Sequence, residues 1–359
     1  MDIILNFLSG KNIGLYLLLL IFLILLFIKF MPIFLTTLDI KKYHSIQKIH
    51  PEDFVSREGG VAIYLTILVF WLTGNYSSIN YFDTILFYSL VFCLPFLMLA
   101  VLEDIFQNIH PSLRLASLFL SSFLFLKFQI FGLPLLDIPF LSIINQSTIL
   151  STIFYSFCIV LLCNGMNIID GSNGLACTTG FSSLVAISFL SYINGDYLIL
   201  YLTISFSLFL LVFLLFNYPF GKIFLGDFGA YFIGWILSIL LIVFFSRNPE
   251  IPAWNAAVIV FYPIFEIIFS FWRKVISGLN PMHPDGKHLH IKLFFLLKKA
   301  LKRDKVANCL ILPFMAFFWL LPALSIPWIY TNIILIFIIL VMLIFSYLGI
   351  YYYLPNAKK

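Results

Sequence analysis

Charge is what this chain most lacks. Only 10% of its 359 residues are Asp, Glu, Lys or Arg, well under the quarter or so typical of soluble domains. A water-soluble fold of this length is thereby excluded, because its surface could not be covered with polar groups. Cysteine is also scarce. The five present (Cys93, Cys158, Cys163, Cys177 and Cys309) form no CxxC pair and fall within or beside apolar runs, so neither a disulfide framework nor a zinc site is expected. The opening MDIILNFLSGK has no basic segment ahead of the first apolar run; no cleavable signal is expected, and the first helix should stay in the bilayer. No internal repeat is visible, and a net charge of +5 gives no reason to expect a nucleic-acid partner.

What the chain has is apolar length. A mean hydropathy of +1.06 and 43 Phe make it an integral membrane protein. Windows long enough to cross the hydrocarbon core occur at 13–35, 61–74, 83–102, 112–131, 149–165, 174–193, 197–217, 228–246, 254–272, 308–327 and 331–354, about eleven in all. The expected architecture is all-α: one polytopic domain over 1–359, with loops near 36–60, 103–113, 165–174, 217–228 and 273–307 on one face. Lys41, Lys42, Lys48, Arg57, Arg114, Lys222, the cluster from Arg273 to Lys305, Lys358 and Lys359 share that face, whereas Lys11, Lys127 and Arg247 take the other. By the positive-inside rule the N-terminus is expected outside, and the C-terminus and the loops in the cytoplasm.

Polar residues interrupt this pattern in a few places. In NGMNIIDGSNGLA (164–176), Asn164, Asn167, Asp170 and Asn173 recur every third residue and form a slowly drifting stripe on a helical turn. Glu103 and Asp104 end the third span, Asp227 lies in FLGDFGAYFIG, and Asp285 lies in HPDGKHLH, all on the cytoplasmic side of the expected topology. Carboxylates beside Arg and Lys at a membrane surface suit a site that holds a divalent cation together with several phosphates. Singly, each has a plainer reading: an acidic pair as a solvated helix terminus, DG and NG as turns. His288 and His290 are read as phosphate donors, since Mg²⁺ prefers oxygen to imidazole. Glu266, inside the ninth span, is costly there unless it faces protein or a wet cavity; a supporting partner of the site and an ion pair with Arg273 are both open. Arg57-Glu-Gly-Gly places two glycines where a loop meets a span. The stretch HLHIKLFFLLKKALKRDK alternates apolar and basic residues as a helix lying on anionic lipid would.

Taken in order, KIHPEDFVSREGGVAIYL, LEDIFQNIHPSLRL, NGMNIIDGSNGLA, FLGDFGAYFIG and HPDGKHLHIKLF resemble the motifs of the polyprenyl-phosphate N-acetylhexosamine-1-phosphate transferases. This is the glycosyltransferase family 4 group that includes WecA and MraY, and the HPDGKHLH loop is closer to the WecA-like branch. The resemblance implies a bacterial inner-membrane enzyme. It would transfer N-acetylhexosamine 1-phosphate from a UDP-N-acetylhexosamine, by default UDP-GlcNAc, to polyprenyl phosphate. UMP would be released and synthesis of a cell-surface polysaccharide such as O-antigen initiated. It further implies Mg²⁺, with Mn²⁺ as the alternative. Asp227 and Asp170 would be its ligands, Glu103 and Asp104 the acids beside the lipid phosphate, and His288 and His290 contacts to the diphosphate. Asn164, Asn167, Asn173, Arg57, Arg114 and Lys222 complete the expected substrate-binding set. The chain departs from the family pattern at Glu103, commonly Asp, and at Asn173, where many members have a second Asp. A homodimer is left open.

The chemistry asks for the same groups without the name. Joining one phosphate to another requires neutralising two anions and aligning them. A lipid phosphate with a second pKa of about 6 needs little general base, so a direct displacement is preferred to a covalent route through Asp104. A secondary transporter would place its polar breaks near the bilayer midplane in two corresponding halves. A CDP-alcohol phosphotransferase would need a DGxxAR pattern, and Asp170-Gly171 continues without the Arg.

Overall fold

The computed structural model describes residues 13–37, 55–73, 80–106, 108–129, 131–136, 142–283 and 285–355. Lys11, Lys41, Lys42, Lys48, Lys358 and Lys359, on which part of the orientation argument rests, lie outside the described residues, as does the KIHPEDF portion of the first motif.

Every described element is a helix. In chain order these are α1 (Ile13–Thr37), α2 (Gly59–Thr73), α3 (Asn80–Phe92), α4 (Leu94–Phe106), α5 (Pro111–Phe128), α6 (Ser142–Asn145), α7 (Thr148–Ile169), α8 (Leu175–Ile193) and α9 (Tyr197–Asn217). They continue as α10 (Gly226–Arg247), α11 (Asn255–Ile259), α12 (Phe261–Ile276), α13 (Leu289–Leu301), α14 (Asp304–Phe314), α15 (Ala316–Trp319), α16 (Leu321–Ile329) and α17 (Ile333–Tyr353). Among the described residues, nine helical stretches are long and apolar enough to cross a membrane. Of the other two expected spans, the second is the shorter apolar helix α2. The ninth is the broken pair α11 and α12.

Proline explains several of the interruptions. Pro95 follows the break between α3 and α4 at Cys93, and Pro263 follows the break at Val260. In each case the missing N–H and the ring clash oppose a continuous helix. Pro313 and Pro322 flank the two breaks that divide the 304–329 span into α14, α15 and α16, while Pro327 lies within α16. At α5, Pro111 occupies the first helical position, where its absent N–H costs nothing, and His110 caps the turn by accepting from the Ser112 N–H.

Helix α10 is hydrophobic on every side, the mark of a helix enclosed by others, and its whole apolar window is buried. Helices α2, α4, α7 and α8 pack around it, while α1 and α17 present mostly exposed apolar surface, as lipid-facing helices do. The crossing of α2 and α10 is made by glycine against glycine: a Cβ on Gly60 would stand 2.0 Å from the Gly229 Cα. That proximity lets the backbone leading into α2 pair with the segment leading into α10, through Phe224 N–H to Ser56 carbonyl at 2.8 Å and Gly60 N–H to Leu225 carbonyl at 2.9 Å. The Arg57 segment is thereby fixed against the start of α10, where the first motif meets the fourth.

Candidate active site

The ends of α4, α7 and α9 and the beginnings of α2, α5, α8, α10 and α13 carry the residues singled out in the sequence. The first group assembles around the N-terminus of α10. Asp227 stands in its first turn, where the helix dipole favours a negative charge. The Arg114 Nη1, from the first turn of α5, lies 3.2 Å from Asp227 Oδ2. Asp104, at the end of α4, is buried; its Oδ1 accepts from Arg57 at 3.2 Å and its Oδ2 from the Asp227 backbone N–H at 2.8 Å. One carboxylate thus satisfies an amide that the helix itself leaves unpaired, and Arg57 offsets the charge. Gly226 makes this possible: its φ is +75°, and a Cβ there would sit 2.1 Å from the Arg57 carbonyl, so no other residue fits. Glu103 points elsewhere in the local structure, accepting from the Ile109 N–H at 2.8 Å and so bracing the turn between α4 and α5.

The second group is the NGMNIIDGSNGLA turn. Asp170 is the C-cap of α7 and Gly174 the N-cap of α8. Asn164 accepts from Tyr231 of α10 at 3.2 Å, and the Asn167 Nδ2 is buried without a hydrogen-bond partner. Asn173 is buried, and its side chain donates to the Pro219 carbonyl at 3.1 Å while its backbone N–H reaches Asn308 at 2.9 Å. Those bonds give the amide a holding role in the fold, consistent with the absence of a second Asp. Lys222 is exposed on the same connection. Asn217, not singled out in the sequence, does the joining: it accepts from the Gly174 N–H at 2.7 Å and donates to the Ile223 carbonyl at 2.8 Å. A buried side-chain amide that satisfies backbone on both sides locks the second motif to the connection leading into α10 and Asp227.

The third group comes from the C-terminal third. The Glu266 Oε1 accepts from His288 Nδ1 at 2.9 Å, and its Oε2 accepts from the Tyr347 hydroxyl at 2.7 Å. Arg273 is taken by Asp285, through Nη1 to Oδ2 and through Nη2 to Oδ1 at 3.2 Å. Of the two readings open for Glu266, the ion pair with Arg273 is therefore not the one formed. Burial pushes Asp285 upward, but the Arg273 guanidinium and the Lys287 N–H hold its carboxyl below the usual range overall. His290 is fully buried with Tyr262 at 3.1 Å from its Nδ1. Burial, opposed in part by Glu266, lowers its pKa to about 4, so the ring is neutral at pH 7. Its Nε2 has no partner and lies against Gly171, where a Cβ would be 2.6 Å away. The glycine after Asp170 is therefore what lets the histidine loop close onto the second motif.

Asp104 and Asp227 meet through a backbone amide, but among the described residues no three His, Cys, Asp or Glu side chains gather into a metal-ligand set. Asp227 and Asp170, the two ligands that the resemblance implies, are therefore not part of a larger cluster of such side chains. A Mg²⁺ that keeps several waters and is bridged by substrate phosphates needs only one or two carboxylates. Asp227 fits that requirement, being partly exposed with Arg114 on one oxygen.

An all-helical membrane protein with acids, guanidinium groups and histidines gathered at one end defines a class, and comparison with known proteins supports it. Residues 86–245 match glycosyl transferase family 4, a stretch that contains Asp104, Arg114, Asp170 and Asp227. The chain is 27% identical over 237 residues, 65% of its length, to the undecaprenyl-phosphate alpha-N-acetylglucosaminyl 1-phosphate transferase of Thermotoga maritima. The probable undecaprenyl-phosphate N-acetylglucosaminyl 1-phosphate transferase of Bacillus subtilis is 27% identical over 253 residues, 69% of this chain and 68% of that protein. A phospho-N-acetylmuramoyl-pentapeptide-transferase of Streptococcus thermophilus is 27% identical over 231 residues, 59% of this chain and 67% of that one. The likeness to glycosyl transferase family 4 covers a little under half of the chain. Within that family, the similarity supports the WecA-like branch of N-acetylglucosaminyl 1-phosphate transferases. The matched region spans 65% of the Thermotoga protein's own length, just under two thirds.

Proposed function

We propose that this protein transfers an N-acetylhexosamine 1-phosphate, GlcNAc 1-phosphate by default, from a UDP-sugar to a polyprenyl phosphate at the cytoplasmic face of a bacterial plasma membrane. The observation that carries the reading is the pair of carboxylate–guanidinium contacts at the start of α10, Asp104 with Arg57 and Asp227 with Arg114. Both lie at a helix terminus suited to anions. An acceptor phosphate held in the bilayer and a soluble diphosphate can meet only at the membrane surface, and the spans end in such groups there.

A lipid phosphate oxygen forms a bond to the sugar-bearing phosphorus of the nucleotide, the bond from that phosphorus to the bridging oxygen breaks, and UMP leaves. Arg57 and Arg114 supply positive charge to the phosphates, and His288 donates to the diphosphate. Asp104 orients Arg57 and the Asp227 backbone, and both of its oxygens being engaged favours this positioning role over a covalent one. Mg²⁺, held by Asp227 with Asp170, would neutralise charge on the bridged phosphates. The product is the lipid-linked sugar that begins a cell-surface polysaccharide.

Membranes containing the protein, given labelled UDP-GlcNAc and undecaprenyl phosphate, are expected to yield labelled lipid and UMP, and EDTA is expected to stop both. No lipid-bound label from any UDP-N-acetylhexosamine in a mixture, followed by mass spectrometry, would refute the proposal.

A further inference from the structure

The last helix, α17, lies outside the matched region 86–245 and is otherwise a lipid-exposed apolar span with most of its window unburied. Two of its tyrosines nevertheless turn inward. Tyr347 is completely buried and donates to Glu266, itself 1% exposed, which in turn contacts His288. Four residues on, the Tyr351 ring packs edge-on against Phe269 at 4.6 Å and under the Lys292 ammonium at 4.1 Å, while Lys292 donates to the Tyr351 carbonyl at 2.6 Å. Helix α17 is thus fastened to α12 and α13 at the level of the histidine loop.

An ionised carboxylate only accepts hydrogen bonds. With Tyr347 donating to one oxygen, the other takes the proton-bearing Nδ1 of His288, which fixes the tautomer and leaves Nε2 as the ring nitrogen available to a ligand. A third group that orients an imidazole in this way is a recurring device, because it removes both ring rotation and the wrong tautomer before substrate arrives. His290 lacks it: its Nδ1 partner is a tyrosine, Tyr262, and its surface is entirely covered.

We propose that Tyr347 and Glu266 are positioning residues that act through His288, making the final helix part of the site. The proposal rests on the reading of His288 as a phosphate donor, a role that requires a second proton on Nε2 when the diphosphate is bound, for its effect on transfer, but not for its effect on the ring. Full-length protein labelled with ¹⁵N-histidine, in lipid and without substrate, is therefore the first test, with His288 assigned by its loss in His288→Asn. The wild-type ring is expected to carry its proton on Nδ1, and Tyr347→Phe and Glu266→Gln are each expected to shift that signal. Tyr347→Phe removes one hydroxyl and keeps the ring that packs on Phe265 and Phe318, so it is the variant most certain to fold. In transfer assays Glu266→Gln is expected to lower kcat roughly 10- to 100-fold, the range found for partners that orient a histidine ligand, with KM for the UDP-sugar changed less. Neither substitution should lower the residual rate of His288→Asn further. Unmoved His288 signals in both variants overturn the proposal even if transfer is confirmed. So does a loss of kcat of the same factor in the presence and absence of His288. Failure of transfer by the wild type, with the His288 signal shifted in both variants, would instead remove the proposed reaction and, with it, any catalytic role for the relay.

Discussion

An aspartate meets an arginine at each end of helix α10, and the two pairs are built differently. At the C-terminus, Arg247 grips Asp196 with two nitrogens, Nε at 2.8 Å and Nη2 at 3.1 Å, and Asn248 and the Ile199 N–H add further bonds to the same carboxylate. At the N-terminus, Arg114 reaches Asp227 through one nitrogen at 3.2 Å, and the Arg114 Nε is buried without a partner. Both charges suit the helix dipole, so the dipole does not distinguish them. Saturation does: the first pair has used its hydrogen-bonding capacity, whereas the second retains donors and acceptors that a phosphate or a hydrated cation can occupy. A bidentate pair on a buried carboxylate holds a bundle together; a single contact to a partly exposed carboxylate can be exchanged for substrate.

Substitutions at the two ends should therefore separate function from stability. Asp227→Asn is expected to have the largest effect on chemistry, lowering transfer on the order of 100-fold or more in purified membranes while insertion and detergent elution stay normal. Wild-type turnover would show that the two ends are not different in kind. Gly60→Val should abolish both properties together, because the new side chain would enter the Gly229 backbone; recovery of a folded, active protein would contradict the close crossing that sets Arg57 beside α10. Asp196→Asn is expected to cost on the order of 2 kcal/mol, seen as a lower thermal midpoint in detergent, with transfer kept within about twofold of wild type.

The smallest expected effect concerns His290. Its folded pKa, about 4, is below the usual value of 6.5, so between those values the unfolded chain binds the proton more readily than the folded one. Stability then falls as pH drops from about 6.5 toward 4 and gains no further loss from this group below that. Replacing His290 with Gln should flatten that part of the profile in thermal melts at pH 7, 6 and 5; an unchanged slope would mean the ring is not buried neutral.

Some of this was legible in the sequence. The all-helical membrane class follows from apolar runs too long for anything else, whereas the ninth span reads as continuous and is broken at Val260. Asp104, Arg114, Asp170 and Asp227 were visible because polar groups at span ends stand out against an apolar background. Asn217 was not, since one amide before Tyr218-Pro219 reads as a helix end. Tyr347 had no signal at all: a tyrosine among Ile, Leu and Phe in a lipid-facing span looks like any other aromatic. The Glu266 choice between Arg273 and the site was undecidable, because both partners lie within reach along the chain.

By itself the sequence determined that this chain spans a membrane as helices and that its few polar residues collect at the ends of those helices, for hydrocarbon tolerates neither unpaired backbone nor stray charge. Only the tertiary structure decided which of those residues meet. Gly60 against Gly229, and Gly171 under His290, bring together motifs more than a hundred positions apart, and partner choice among buried polar groups depends on a few ångströms of backbone approach that no local pattern encodes.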